Sequence, residues 1–190
     1  MNKPVVIGSS TGGTQALEVV LTALPDDSPG LAIVQHMPEK FTAMHAQRVD
    51  GLCAMNVREA KDGDRLERGV VLIAPGGRHM QLRKAGGQYC AVLADGPPDN
   101  RHKPSVDVLF RSVAECSGCD ALAIMLTGMG DDDARGMKQL HDGDASTIAQ
   151  DEASCVVFGM RKKAIKLGAV DHVLPLGRVA DAILQFDSCG

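Results

Sequence analysis

The chain predicts a doubly wound α/β fold: a mostly parallel sheet with helices on both faces and an antiparallel hairpin at one edge. Three observations point there. Short β-branched runs such as Val5-Val6-Ile7 and Leu31-Ala32-Ile33-Val34 alternate with segments of helical period. Strands that alternate with helices imply parallel pairing, buried on both faces. At 190 residues and 44% hydrophobic, the chain can bury one sizeable core, so residues 1–190 read as a single domain.

Taken in order, residues 5–7 form a strand that enters the turn Gly8-Ser9-Ser10-Thr11-Gly12-Gly13. A helix starting near Thr14 follows, with Leu17, Val20, Leu21 and Leu24 spaced i, i+3, i+4, i+7. Residues 31–34 make a second buried strand, leading through His36-Met37-Pro38 to a helix whose apolar residues are Phe41, Met44, Val49 and Leu52. Residues 57–74 hold short β-like pieces, the strongest over 70–74. Residues 80–83 and 88–93, joined through Gly86-Gly87, read as the hairpin. After a polar loop over residues 95–104, Ser105 is placed to cap a helix bearing Val106, Leu109, Phe110 and Val113. Then come a strand over 121–126, a helix over 136–141, a strand over 147–149, a helix over 154–167, a strand over 170–174 and a last helix over 179–186.

Composition excludes several classes. Aromatics are 3% of the chain and the net charge is −4, which argues against nucleic-acid binding. No apolar run approaches the roughly 20 residues of a membrane helix, and Met1-Asn2-Lys3-Pro4 leaves no room for a signal peptide before the first strand. Of the six cysteines, only Cys116 and Cys119 have ligand-like spacing, with no second pair to complete a zinc site. They read as reduced thiols of a cytoplasmic protein that holds no metal and needs no cofactor.

The first βα corner carries the chemistry. Gly8-Ser9-Ser10-Thr11-Gly12 fits G-x-S-x-G, a sharp turn that presents a serine hydroxyl. It lacks the G-x-G-x-x-G of dinucleotide binding and the Gly-Lys-Ser/Thr of a P-loop. An anion-binding glycine turn at a helix start remains the bland alternative. Parallel sheets place ligands outside their strands' carboxyl ends. Ser10, His36 and the run Asp131, Asp132 and Asp133 all follow strands. A serine needs a base to take its proton, and a carboxylate behind the histidine fixes its tautomer. Spacing does not choose among the three aspartates. Thr11, beside the serine, and Arg101 and His102 in the polar loop are substrate-proximal candidates; the Arg101-His102-Lys103 cluster suits an acidic partner or a solvated loop equally. His45, His141 and His172 read as surface residues, and Asp62, Asp64, Asp95 and Asp99 as turn formers.

These segments resemble the catalytic domain of the chemotaxis protein-glutamate methylesterases, the CheB family. The likeness is carried by the first corner, Gln35-His36-Met37-Pro38, Ile73-Ala74-Pro75-Gly76, Gly96-Pro97-Pro98, Asn100-Arg101-His102, Pro104-Ser105-Val106-Asp107, Leu126-Thr127-Gly128-Met129-Gly130 and the run from Ala149 through Ser154-Cys155-Val156 to Met160. The resemblance implies Ser10 as nucleophile, His36 as base, Asp132 as the triad carboxylate and the Met129 N–H as oxyanion donor. It implies hydrolysis of glutamate γ-methyl esters on chemoreceptor-like proteins, with receptor glutamine deamidation by the same route. A small-molecule serine esterase, or a binding module whose triad is impaired, are the alternatives. Asp133 stands where the family usually has glycine and Arg161 where it usually has proline; the charge of Asp133 is expected to bear on Asp132. Family members commonly carry a receiver domain that covers the catalytic face. None is expected within these residues, so the chain reads as an excised catalytic half or a stand-alone member, with a separate receiver as a possible partner.

Overall fold

A computed structural model describes residues 2–99, 101–128, 134–156 and 159–189. Nine strands, six α-helices and one short 3-10 helix (Leu176–Arg178) are described. Strand β1 (Val5–Ser9) is followed by helix α1 (Gly13–Thr22), β2 (Leu31–Gln35), α2 (Glu39–Asp50), β3 (Asn56–Glu59) and β4 (Val70–Ile73). The hairpin β5 (His79–Ala85) and β6 (Gln88–Ala94) precedes α3 (Val106–Ser117), β7 (Leu122–Met125), α4 (Ala134–Asp142) and β8 (Ser146–Gln150). Helix α5 (Gly159–Lys166), β9 (His172–Leu174) and α6 (Val179–Ser188) complete the chain. The main sheet runs β3-β4-β2-β1-β7-β8-β9, and every neighbouring pair is parallel.

Alternation along the strands builds two cores. Val5 and Ile7 of β1 face one way and pack with Leu17 and Leu21 of α1, Val49 of α2 and Ile183 of α6. Val6 faces the other way, toward Val106, Leu109 and Phe110 of α3 and Met137 of α4. The chain winds outward from β1 through β2, then crosses to β7 on its other side. That reversal puts a topological switch point at the carboxyl end of β1.

The fold class is the predicted one, and several local features differ from the sequence reading. The expected antiparallel hairpin is present and forms a two-stranded sheet of its own. Its outer strand bonds to the stretch at Gly63–Leu66, through Gly63 N–H to Ala91 C=O and Leu66 N–H to Tyr89 C=O (both 2.8 Å). Its other side rests on α3, where Leu82 N–H donates to Ser112 Oγ. Phe41 and Met44 of α2 are 50% and 64% exposed, and the buried face is Thr42, His45, Ala46 and Val49. Thr42 can sit inside because its hydroxyl donates to Glu59 Oε2 (2.6 Å) and accepts from Gly76 N–H (3.1 Å). His45, expected at the surface, is 7% exposed. His141 is half-buried and meets Asp171 Oδ1 at 3.0 Å, whereas His172 is exposed. Helix α5 starts later than residue 154, because Asp151 accepts from both the N–H and the hydroxyl of Ser154 and holds that stretch in a turn.

Candidate functional site

The carboxyl ends of β1 and β2 set the site. Ser9 and Gln35 are register partners, so Ser10 and His36 leave adjacent parallel strands side by side, about 4.8 Å apart at the backbone. His36 N–H donates to Ser9 C=O (3.0 Å), prolonging the ladder by one step. On the opposite flank Ser10 N–H donates to Thr127 C=O (2.9 Å), just past β7. The Ser10 N–H is therefore engaged in the sheet's continuation.

The glycines of this corner act by two different means. Gly12 has φ 78°, and a Cβ there would lie 2.8 Å from Val156 Cβ. It supplies the left-handed turn before α1, closed by Gly13 N–H donating to Ser10 C=O (2.7 Å). Gly8 lies within the strand, and its bare Cα admits Val106 of α3, whose Cγ1 would be 2.3 Å from an added Cβ. The sequence reading had assigned this glycine to the turn; the helix packed across β1 is what needs it.

A second layer comes from the polar loop. His79 Nε2–H donates to Pro97 C=O (2.9 Å) and its Nδ1 accepts from Ser105 N–H (3.3 Å), which fixes the tautomer and joins the loop to the start of α3. Ser105 caps that helix as predicted, accepting from Val108 N–H. The backbones of Asp99 and His102 exchange two hydrogen bonds (3.0 and 2.9 Å), and the Asp99 carboxylate is paired with Arg111. Arg101 has φ 67°, and the His102 ring lies on that of His36, 3.8 Å between centroids and 4° from parallel.

Ser10, Thr11, His36 and His102 thus gather at one place. Thr11 is exposed, and its carbonyl accepts from Thr127 Oγ1 (3.0 Å). Arg101 is exposed beside His102. Asp132, its neighbours Asp131 and Asp133, and Met129 lie outside the described residues. Among the described residues, no group of three or more His, Cys, Asp or Glu is arranged to hold a metal ion. Cys116 is half-buried with its thiol donating to Leu82 C=O, and Cys119 is exposed. No described helix is long and apolar enough to cross a membrane.

Sequence reasoning missed two buried glutamines. Gln35 ends β2 and Gln150 ends β8. Gln150 accepts from Thr127 N–H (3.0 Å) and donates to Ser154 C=O (2.8 Å), tying the strand end at Thr127 to the turn that follows β8. For Gln35 the available signal was a carboxamide closing the otherwise apolar buried strand β2, whereas β8 carries Ser146 and Thr147 before Gln150 and offers no such contrast.

The sheet is all parallel and doubly wound, with a serine and a histidine on neighbouring strand ends at its switch point, and this defines the chain as an α/β protein of the doubly wound class. The comparisons make this specific. The family model described as CheB methylesterase matches residues 5–183, and the chain belongs to that family. It is 66% identical over 182 residues to protein-glutamate methylesterase/protein-glutamine glutaminase 2 of Dechloromonas aromatica (strain RCB), covering 96% of this chain and 51% of that protein. It is 60% identical over 180 residues to the protein of the same name from Albidiferax ferrireducens, covering 95% and 52%. The chain spans about half the length of these curated relatives. The crystal structure of the Thermotoga maritima CheB methylesterase catalytic domain superposes with a TM-score of 0.94 at 36% identity, covering 97% of this chain and 98% of that one.

Proposed function

We propose that this chain is a serine hydrolase that removes methyl groups from glutamate γ-methyl esters of chemoreceptor-like proteins. Ser10 Oγ attacks the ester carbonyl while His36 takes its proton. His36 then returns that proton to the departing methoxide, so methanol leaves and an acyl-Ser10 remains. Water, deprotonated by His36, attacks the acyl group, and His36 passes that proton to the departing Ser10 Oγ as the glutamate is freed. Glutamine side chains enter by the same route with ammonia as the leaving group, in keeping with the glutaminase half of the relatives' name. In this reading Asp132 orients His36 and the Met129 N–H receives the oxyanion, both roles carried over from the family motif. A donor of that kind lowers the barrier by about 3 kcal/mol. His102, stacked on His36, restrains the imidazole's tilt, and Thr11 and Arg101 border the approach of substrate.

The supporting observation is the register pair Ser9–Gln35, which delivers Ser10 and His36 side by side, in a chain of this family. The same reading takes residues 1–190 as one catalytic domain acting in the cytoplasm. It is supported by six cysteines that form no disulfide among the described residues. A separate receiver domain is the expected regulatory partner, and the domain alone should turn over without a phosphodonor. The decisive experiment is methanol release from methylated receptor by wild type and Ser10→Ala. Release by wild type alone supports the mechanism, and equal release by both refutes it. Turnover of simple esters with none from receptor points instead to a small-molecule esterase.

A further inference from the structure

Gln35 is 3% exposed, and its carboxamide is bonded on both ends. Its Nε2 donates to Ser10 C=O (2.8 Å) and to His36 C=O (3.1 Å), and its Oε1 accepts from the Ser9 hydroxyl (2.5 Å). This orientation is forced. Two carbonyl oxygens can only accept, so the NH₂ end must face them and the oxygen is left for the hydroxyl.

Those two carbonyls belong to the residues that carry the nucleophile and the base. The last β1–β2 ladder bond is His36 N–H on Ser9 C=O, and the Gln35 amide adds a tie beyond it. One amide nitrogen now bridges both. The start of α1 closes over the amide: a Cβ on Gly13 would lie 2.0 Å from Gln35 Oε1 and 2.8 Å from Ser9 Cβ. The amide is thereby confined on its third side.

We infer that Gln35 is a positioning residue of the hydrolase, fixing the distance between nucleophile and base by holding the main chains of Ser10 and His36 through one carboxamide. This inference rests on the esterase reading above. A displacement of about 1 Å between reacting groups can cost on the order of 100-fold in rate. Gln35→Met keeps the side chain's length and removes both donors. Substrate contacts are untouched, so the loss falls on kcat rather than KM.

The test uses the whole chain, with simple ester and methylated receptor as substrates and a fluorophosphonate probe to count reactive serines. A merely structural role lowers the labelled fraction and the melting temperature but leaves turnover per labelled site unchanged. The positioning role lowers kcat per labelled site by about 10- to 100-fold with KM within about twofold. Ser9→Ala, nearly neutral in volume, removes only the hydroxyl that anchors Oε1 and should lower per-site kcat by about 3- to 10-fold. It decides the matter should Gln35→Met not fold. Active wild type with unchanged per-site kcat in the variants overturns the positioning role alone. Wild type that neither labels at Ser10 nor turns over refutes the esterase reading, and the positioning role with it.

Discussion

Gly8→Ala is the sharpest probe of how α3 holds the strand that leads to Ser10. The new Cβ would sit 2.3 Å from Val106 Cγ1 and 3.0 Å from Cγ2, inside contact distance on both methyls. Neither side yields readily. Strand β1 is bonded on both edges, and Val106 opens a helix whose preceding residue, Ser105, is held by His79. Overpacking of this kind costs about 1–3 kcal/mol, less the fraction of a kcal/mol recovered by removing a glycine from a strand. At about 2–4 °C per kcal/mol for a chain of this size, a net 1–2 kcal/mol lowers the melting temperature by about 2–8 °C. Val106→Ala alone costs about 2 kcal/mol through lost burial and the space it leaves. Combined, the two changes fit each other, since the alanine Cβ moves into the space vacated by the valine methyls. A denaturant-unfolding cycle should show the double variant more stable than the sum of the singles by at least about 1 kcal/mol. Turnover should recover in the same order, because Ser10 lies two residues beyond Gly8. Additivity within about 0.5 kcal/mol would refute the packing account.

Neither ring nitrogen of the buried His45 has a hydrogen-bond partner among the described residues, with Glu18 and Arg48 its charged neighbours; burial pushes its pKa below the ordinary value. The unfolded chain therefore binds the proton more readily, and stability is lost as pH falls below about 6.5; melting curves between pH 7.5 and 5.5 should show a shallower decline in His45→Leu. Arg68 forks onto Asp187 (2.8 and 2.9 Å), and that guanidinium holds the carboxyl below its usual range. Arg68→Ala should cost under about 1 kcal/mol at neutral pH, and the difference from wild type should fade as acid protonates Asp187 below its usual carboxylate pKa or as salt is raised. Burial pushes the Cys116 thiol up, so mass-spectrometric mapping at pH 8 should find exposed Cys119 alkylated well before Cys116.

How much was legible beforehand depended on whether a residue's role was local. The buried runs at Val5-Val6-Ile7 and Leu31-Ala32-Ile33-Val34 became central strands because β-branched residues flanked by turns have few other options. Ser10 and His36 were legible as strand-end residues once the sheet was taken as parallel. The face of α2 was not. Periodicity counts apolar residues, and here Thr42 is drawn inward by Glu59 and Gly76 while Phe41 and Met44 turn outward. His79 and His102 act through partners on other loops, and Gln35 through residues 25 positions earlier, as its bond to Ser10 shows. No local pattern encodes such bonds. The choice of Asp132 among three aspartates came from family resemblance alone.

The central place of β1 also has a consequence for biosynthesis. Its neighbours are β2, reached by residue 35, and β7, which is not complete until residue 125. A nascent chain therefore carries β1 with one edge unpaired while some ninety residues more are made. That edge is a row of open N–H and C=O groups on a strand buried on both faces in the finished protein, the kind of surface that recruits stray strands. The Ser10 corner can close only when Thr127 arrives to receive its N–H. Ribosome-held chains stopped before residue 122 should bind hydrophobic dyes and chaperones and fail to label at Ser10, and labelling should begin only after the residues that follow β7 have emerged.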